Sequence, residues 1–158
     1  MHYRKSVALL VGALALLLVG VGCGGSSGGE TTASISKSEF VEQANVVCER
    51  GREKLHSDFL VFSKEKNDNP NPSSAEYAEY VTRIIAPDMK QEIIAKIRNL
   101  GSPKGDEESV DAMLAAVEEG VRKAEEDPRS ALINNGQTFA KAIGLATAYG
   151  LKACAETY

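Results

Sequence analysis

The chain has 158 residues, with 22 acidic and 18 basic side chains and a formal net charge of −4 at pH 7. An acidic balance disfavours nucleic acid and anionic lipid surfaces as partners, and we expect no nucleic-acid partner. The length suits one domain with its own hydrophobic core and is too short for two.

The first 22 residues have the layout of a bacterial signal peptide. Arg4 and Lys5 precede an almost uninterrupted apolar stretch over residues 7–19, and Gly20, Val21 and Gly22 lead to Cys23. This order, basic then apolar then small, is typical of a cleaved secretory leader. An apolar run of about 15 residues is short of the roughly 20 that a permanent transmembrane helix needs. We therefore predict a signal peptide over residues 1–22, with an uncleaved anchor or plain secretion as alternatives.

A cysteine at the predicted cleavage site resembles the lipobox of bacterial lipoproteins, in which this thiol carries a diacylglyceryl group. Gly20 stands where that pattern has Leu or another aliphatic residue. The resemblance implies lipidation of Cys23 and a protein held at the extracytoplasmic face of the cell membrane, since two acyl chains give stable anchoring. Cleavage would leave 16 basic and 22 acidic side chains, a formal charge of −6.

A tether over residues 23–35 separates this anchor from the rest of the chain. Residues 24–34 are rich in Gly, Ser and Thr. A flexible segment of this length has a root-mean-square reach of roughly 17–20 Å. The domain predicted over residues 36–158 is thus expected to stand in water near the membrane.

Two further cysteines, Cys48 and Cys154, remain once Cys23 carries lipid. An even number of cysteines in an oxidising compartment favours a disulfide. The alternative is a metal or redox pair, but the chain has no Cys-x-x-Cys motif and one histidine outside the leader, too few ligands for a thiolate metal site. We predict a structural Cys48–Cys154 disulfide.

Apolar residues at helical spacing predict four helices and no strands, an all-α protein with an up-down four-helix bundle. The helices are expected from Ser36 to the turn-forming residues 67–72, from Ser73 to Gly101, from about Asp106 to Pro128, and from Pro128 or Asn135 to Tyr149. Ser36 with Glu39, and Ser73 with Glu76, are spaced as capping boxes. Pro87 predicts a kink near Ala86, and Asn134-Asn135-Gly136 predicts a break.

Three short segments resemble small helical lipoproteins and secreted proteins of actinobacteria, a family without an assigned activity. They are residues 40–48 (FVEQANVVC), 100–107 (LGSPKGDE) and 149–154 (YGLKAC). The resemblance spans nearly all of the mature domain. It implies the helical fold and the paired cysteines, and it brings no catalytic residues.

Candidate catalytic and metal-binding residues are few. Glu53 and His56 have the Glu-x-x-His spacing of di-iron bundles, but such a site needs the motif twice and two more glutamates. The sequence has no serine-nucleophile motif or phosphate-binding glycine loop. We predict no enzyme activity, no metal and no cofactor.

The last predicted helix is apolar on every side between Phe139 and Leu151, apart from Lys141. A contiguous exposed apolar surface marks an interaction site, whereas small residues are also readily exposed without function. The residues predicted to form such a surface are Tyr80, Ile84, Ile143, Gly144 and Thr147. The predicted function is a non-enzymatic interaction module that binds an envelope protein, and the alternative is a carrier or sensor of a small apolar ligand between helices 2 and 4.

Overall fold

The computed structural model describes residues 34–133 and 137–157, and this part of the chain is a helical bundle without strands. The signal peptide, Cys23, most of the tether and the predicted break at residues 134–136 lie outside the described residues. The α-helices are α1 (Lys37–Glu65), α2 (Ser74–Tyr80), α3 (Ala86–Asp88), α4 (Ala95–Asn99), α5 (Glu107–Glu126), α6 (Pro128–Ile133), α7 (Ala140–Tyr149) and α8 (Lys152–Ala155). The prediction of an all-α fold is confirmed.

Both predicted capping boxes are present. The Ser36 side chain accepts a hydrogen bond from the Glu39 N–H, and the Glu39 carboxylate accepts one from the Ser36 N–H, at the start of α1. Ser73 and Glu76 make the same reciprocal pair at the start of α2. Each box satisfies two backbone donors that a helix N-terminus otherwise leaves unpaired.

Helices α2, α3 and α4 form one continuous helical run, in which two π-helical segments flank Pro87. These segments are Val81–Ile85 and Met89–Ile94. Proline lacks the N–H that would bond four residues back, and a π-helical register moves the acceptor one residue further. The Ala86 N–H accordingly donates to Val81 O. At the kink predicted near Ala86, the structure therefore has two π-helical segments.

The region predicted as the fourth helix is divided into several pieces. Helix α6 is followed, beyond the undescribed residues, by a 3₁₀ turn over Gln137–Phe139 and then by α7. Gly150, with φ of +97°, ends α7 as predicted, because that backbone conformation favours glycine. The short α8 that follows was not predicted, and it packs on α1 and α7.

The core lies between α1, the second helical run, α5 and the α7–α8 pair. Its largest fully buried side chains include Phe40, Ile93, Ile97, Met113, Val117 and Leu151. Gly51 allows α1 to approach the second run closely, because a Cβ there would lie 2.4 Å from Ile93 Cγ1. Helix α5 packs against both the second helical run and α7.

The predicted disulfide is confirmed. Cys48 in α1 is bonded to Cys154 in α8 across a sequence separation of 106, with the two Cα atoms 4.9 Å apart. Both half-cystines are fully buried. The Ala153 N–H also donates to Asn45 Oδ1 at 3.0 Å, so the C-terminal segment is attached to α1 by covalent and hydrogen bonds.

Candidate functional site

Tyr80 and Ile84, two of the five residues predicted as a binding surface, lie on the side of the second run that faces α1. The Tyr80 ring packs against Phe59 and Phe62 with centroid distances of 5.5 Å and 5.3 Å. Burial, followed by the negative charges of Asp88 and Asp58, raises the pKa of Tyr80 to about 12. Ile84 is buried.

The other three predicted residues lie on α7. Ile143 is half-buried, whereas Gly144 and Thr147 are exposed. The Thr147 hydroxyl donates to Ile143 O at 2.7 Å within the helix. None of the five residues lines the cavity or the groove that are described below. The five residues therefore do not form one site at either place. Helix α7 buries Ala142 and Ala146 and exposes other small residues to solvent. The sequence left this arrangement open as the alternative to a binding surface.

A cavity of about 210 Å³ nevertheless lies between the second helical run and the region of α6 and Phe139, the two predicted helices that the sequence singled out. It also borders α1, α5 and the C-terminal segment. Its lining among the described residues is Leu55, Ile85, Met89, Ala124, Ala131, Leu132, Phe139 and Thr157. None of the five residues predicted as a binding surface lines this cavity.

Two features fix the walls of this cavity. Phe139 lies against the bare backbone of Gly120, where a Cβ would come within 2.3 Å of the ring carbon Cδ1. Thr157, the one polar side chain among these lining residues, donates its hydroxyl hydrogen to Ala153 O at 2.7 Å. Leu132 is 36% exposed and is the most exposed of these lining residues.

A charge cluster with one buried member, Asp88, lies next to the cavity wall. The Lys54 ammonium is bonded to the Asp58 carboxylate and lies 3.8 Å from Asp88 Oδ1. Asp88 is only 7% exposed, and its Oδ2 has no hydrogen-bond partner among the described residues. Burial raises the pKa of Asp88, the nearby Lys54 charge opposes the rise, and the charges of Asp58 and Glu92 add to it. The hydrogen bond to Asp58 raises the pKa of Lys54.

This cluster shares its two helical elements with the cavity. Asp88 lies between the lining residues Ile85 and Met89 in sequence, and Lys54 directly precedes the lining residue Leu55. The sequence analysis missed Asp88. The available signal was its position four residues after Ile84 and seven after Val81, on an otherwise apolar helical face.

The chemistry of the cluster is limited. His56 is exposed, and the residues that the structure describes contain no group of three or more His, Cys, Asp or Glu side chains able to hold a metal ion. Lys54 with Asp58 and Asp88 forms a group of three charges that pair with one another.

Exposed apolar side chains lie on α1 and α6, close to the same end of the bundle. Phe59, Leu60 and Val61 are consecutive in α1, and Val61 is 58% exposed. Leu132 and Ile133 are exposed on α6. Consecutive helical residues point in directions about 100° apart, so α1 is apolar around most of its circumference here.

The opposite end of the bundle is polar and paired. The Tyr149 hydroxyl donates to Asp106 Oδ2 at 2.8 Å, and Lys37 Nζ lies 3.2 Å from the same oxygen. Both contacts lower the pKa of Asp106, the Tyr149 hydrogen bond more strongly. A groove of about 420 Å³ beside Tyr149 is bordered by Lys37 and Glu108 as well as by small apolar residues.

Comparison of the chain with protein-family models, curated proteins and solved structures gives no match. The resemblance to actinobacterial lipoproteins and secreted proteins stays a prediction. Among the described residues, none of the helices combines the length and apolar character required to cross a membrane. The functional argument therefore depends on the sequence pattern and on the geometry of this chain.

Proposed function

We propose that the protein is a lipid-anchored lipoprotein at the extracytoplasmic face of the cell membrane, with a helical domain that acts as a non-enzymatic binding module. The pattern of residues 1–22 and the position of Cys23 support the anchor. The confirmed disulfide supports an oxidising compartment, because such bonds are rare in the cytosol.

The observation that carries the binding role is the apolar cavity between the second helical run and α6. Exposed apolar residues of α1 and α6 lie near the same end of the domain. Pockets with mostly apolar linings and few polar groups are the usual form of binding sites. The preferred role is an interaction module for an envelope protein.

A second candidate, a carrier or sensor of a small apolar ligand, is favoured by the same cavity. The cavity lies between the second helical run and the α6 to Phe139 region, where the sequence predicted such a site. Co-purification separates the two candidates. A small-molecule adduct in native mass spectra supports the carrier, and a stoichiometric envelope protein supports the interaction module.

We also infer that the helices follow an up-down four-helix plan. The four legs would be α1, the run from α2 to α4, α5 and α7. The connections over residues 66–73 and 100–106 are short, as antiparallel neighbours require. In this plan α6 and α8 are additions that close the two ends.

Intact-mass analysis of protein extracted from its own membranes tests the anchor. We expect a chain that begins at Cys23 and carries a diacylglyceryl group, and we expect Cys23→Ala to abolish both the acyl mass and stable membrane association. Ser26→Ala is the matched control and should behave as the wild type. A wild-type chain that retains residues 1–22, or that begins at Cys23 without lipid, would contradict the proposal.

A further inference from the structure

The cavity beside Met89 is a recess between helices that is partly open to solvent. A volume of about 210 Å³ lies above the roughly 150 Å³ of an engineered apolar cavity that holds benzene, and below the roughly 300 Å³ at which drug-sized pockets begin. Its size therefore suits a small molecule.

The lining determines the chemistry that this volume accepts. Seven of the eight lining residues are apolar, and none of those eight is charged. The remaining one, Thr157, has its hydroxyl hydrogen directed to Ala153 O. Among the described residues, the lining side chains thus offer no free donor to a carboxylate, phosphate or carbonyl oxygen. A charged or strongly polar ligand would lose its hydration without compensation.

The nearby charges are directed to one another. Lys54 is bonded to Asp58 and paired with Asp88, and these side chains do not line the cavity. The cluster lies between α1 and the second helical run, the two elements that contribute Leu55, Ile85 and Met89. The charges on this side are therefore directed to one another outside the cavity.

We propose that this cavity binds one neutral, apolar molecule of about the size of a singly substituted six-membered ring or a short hydrocarbon chain. The inference rests on the binding role proposed above and is independent of the lipid anchor. The exposed Leu132, on the short helix α6, and Phe139, seated on Gly120, both form part of the cavity wall.

Toluene is a suitable probe, and two methionines report on it. Met89 lines the cavity, whereas Met113 is buried elsewhere in the core and does not line it. In the full chain, labelled with [¹³C]methyl methionine and held in phospholipid nanodiscs, we expect toluene to shift the Met89 resonance saturably. The Met113 resonance should stay in place.

A matched pair of alanine variants tests the location. Ala131→Phe places a ring in the cavity and should reduce the Met89 response at least tenfold. Ala115→Phe adds the same ring at an exposed position of α5 and should leave the response unchanged. An unshifted Met113 resonance shows that each variant is folded.

Three results would overturn the proposal: a shift of Met89 that does not saturate, equal shifts of Met89 and Met113, or an unchanged response in Ala131→Phe. The anchor is tested separately by the mass of Cys23. Toluene binding by a chain without lipid would leave this inference standing and refute the anchor. A lipidated chain whose Met89 resonance does not respond to toluene would support the anchor and refute this inference.

Discussion

The two ends of this bundle are built by different means. At one end, where α1 begins, Tyr149, Asp106 and Lys37 satisfy one another at the surface. Toward the other end, the second helical run contains two π-helical segments, and an apolar cavity lies beside them. The buried Asp88 Oδ2 there has no hydrogen-bond partner among the described residues. The Cys48–Cys154 disulfide is close to the cavity, because Thr157, which lines it, lies with its Oγ1 3.3 Å from Cys48 O.

This contrast separates stability from binding. At the first end the polar groups are paired with one another. The cavity end carries the features that cost stability, and π-helical segments are often found at functional sites. We therefore expect substitutions at the first end to act mainly on unfolding, and substitutions at the second end to act on both unfolding and ligand binding.

The largest effect is expected from removal of the disulfide. Cys154→Ser should lower the free energy of unfolding by about 2–5 kcal/mol, because it removes a crosslink across a long loop and leaves polar groups in the core. Thermal unfolding in non-reducing buffer measures this loss. Reduction of the wild-type protein is the control and should produce a similar decrease. An unchanged melting temperature in the variant would show that the crosslink has no role in stability.

An intermediate effect is expected from a methyl group at the cavity wall. Gly120→Ala forces Phe139 to move, because the new Cβ would lie 2.3 Å from the ring. Such overpacking costs about 1–3 kcal/mol, against a gain of up to about 1 kcal/mol from helix propensity. We expect a net loss of about 1–2 kcal/mol in urea unfolding.

Gly144→Ala is the matched control for this substitution. Gly144 lies within α7, and a Cβ there would meet nothing within 4 Å. The substitution should therefore stabilise the protein by roughly 0.5–1 kcal/mol. If both variants changed stability in the same direction and by the same amount, Phe139 would not be held by Gly120 as described.

The smallest effect concerns the buried carboxylate. Burial raises the pKa of Asp88 in the folded state, so the folded protein binds a proton more readily than the unfolded chain does. Stability should then increase as the pH falls through the raised folded pKa toward the ordinary value near 3.9. At neutral pH, Asp88→Asn should raise the free energy of unfolding by roughly 1 kcal/mol, because an amide can donate to Asp58 and carries no buried charge.

Urea unfolding between pH 4 and pH 7 checks this prediction. The part of the free energy of unfolding that decreases with rising pH should be absent in Asp88→Asn. Asp111→Asn changes an exposed carboxylate on α5 and is expected to leave the wild-type profile in place. A neutral-pH loss of stability in Asp88→Asn would show that the pairing of Asp88 with Lys54 outweighs the burial of its charge.

Local rules account for what could be predicted from the sequence. The capping boxes at Ser36 and Ser73 and the end of α7 at Gly150 each depend on a few neighbouring residues, and the structure contains all three. The disulfide followed from the number of cysteines and the expected compartment. These features need no knowledge of how the helices pack.

The candidate site could be predicted only by position. The sequence placed an apolar site between helices 2 and 4, and a cavity lies there, but Tyr80 and the α7 residues do not line it. Which side of a helix faces a cavity depends on its rotation against its neighbours. The π-helical segments around Pro87 alter that rotation, because each adds a residue to a turn. Regular helical spacing could not reproduce this change.

The disulfide has a further consequence for the connectivity of the chain. Helices α2 to α7 all lie between Cys48 and Cys154, so the crosslink makes this part of the protein a closed covalent ring. A protease that cuts once in this ring, for example within residues 66–73, opens it without releasing a fragment. Only a second cut, or a reductant, separates the pieces. In an oxidising compartment, the domain would therefore survive a first cleavage as one covalent molecule.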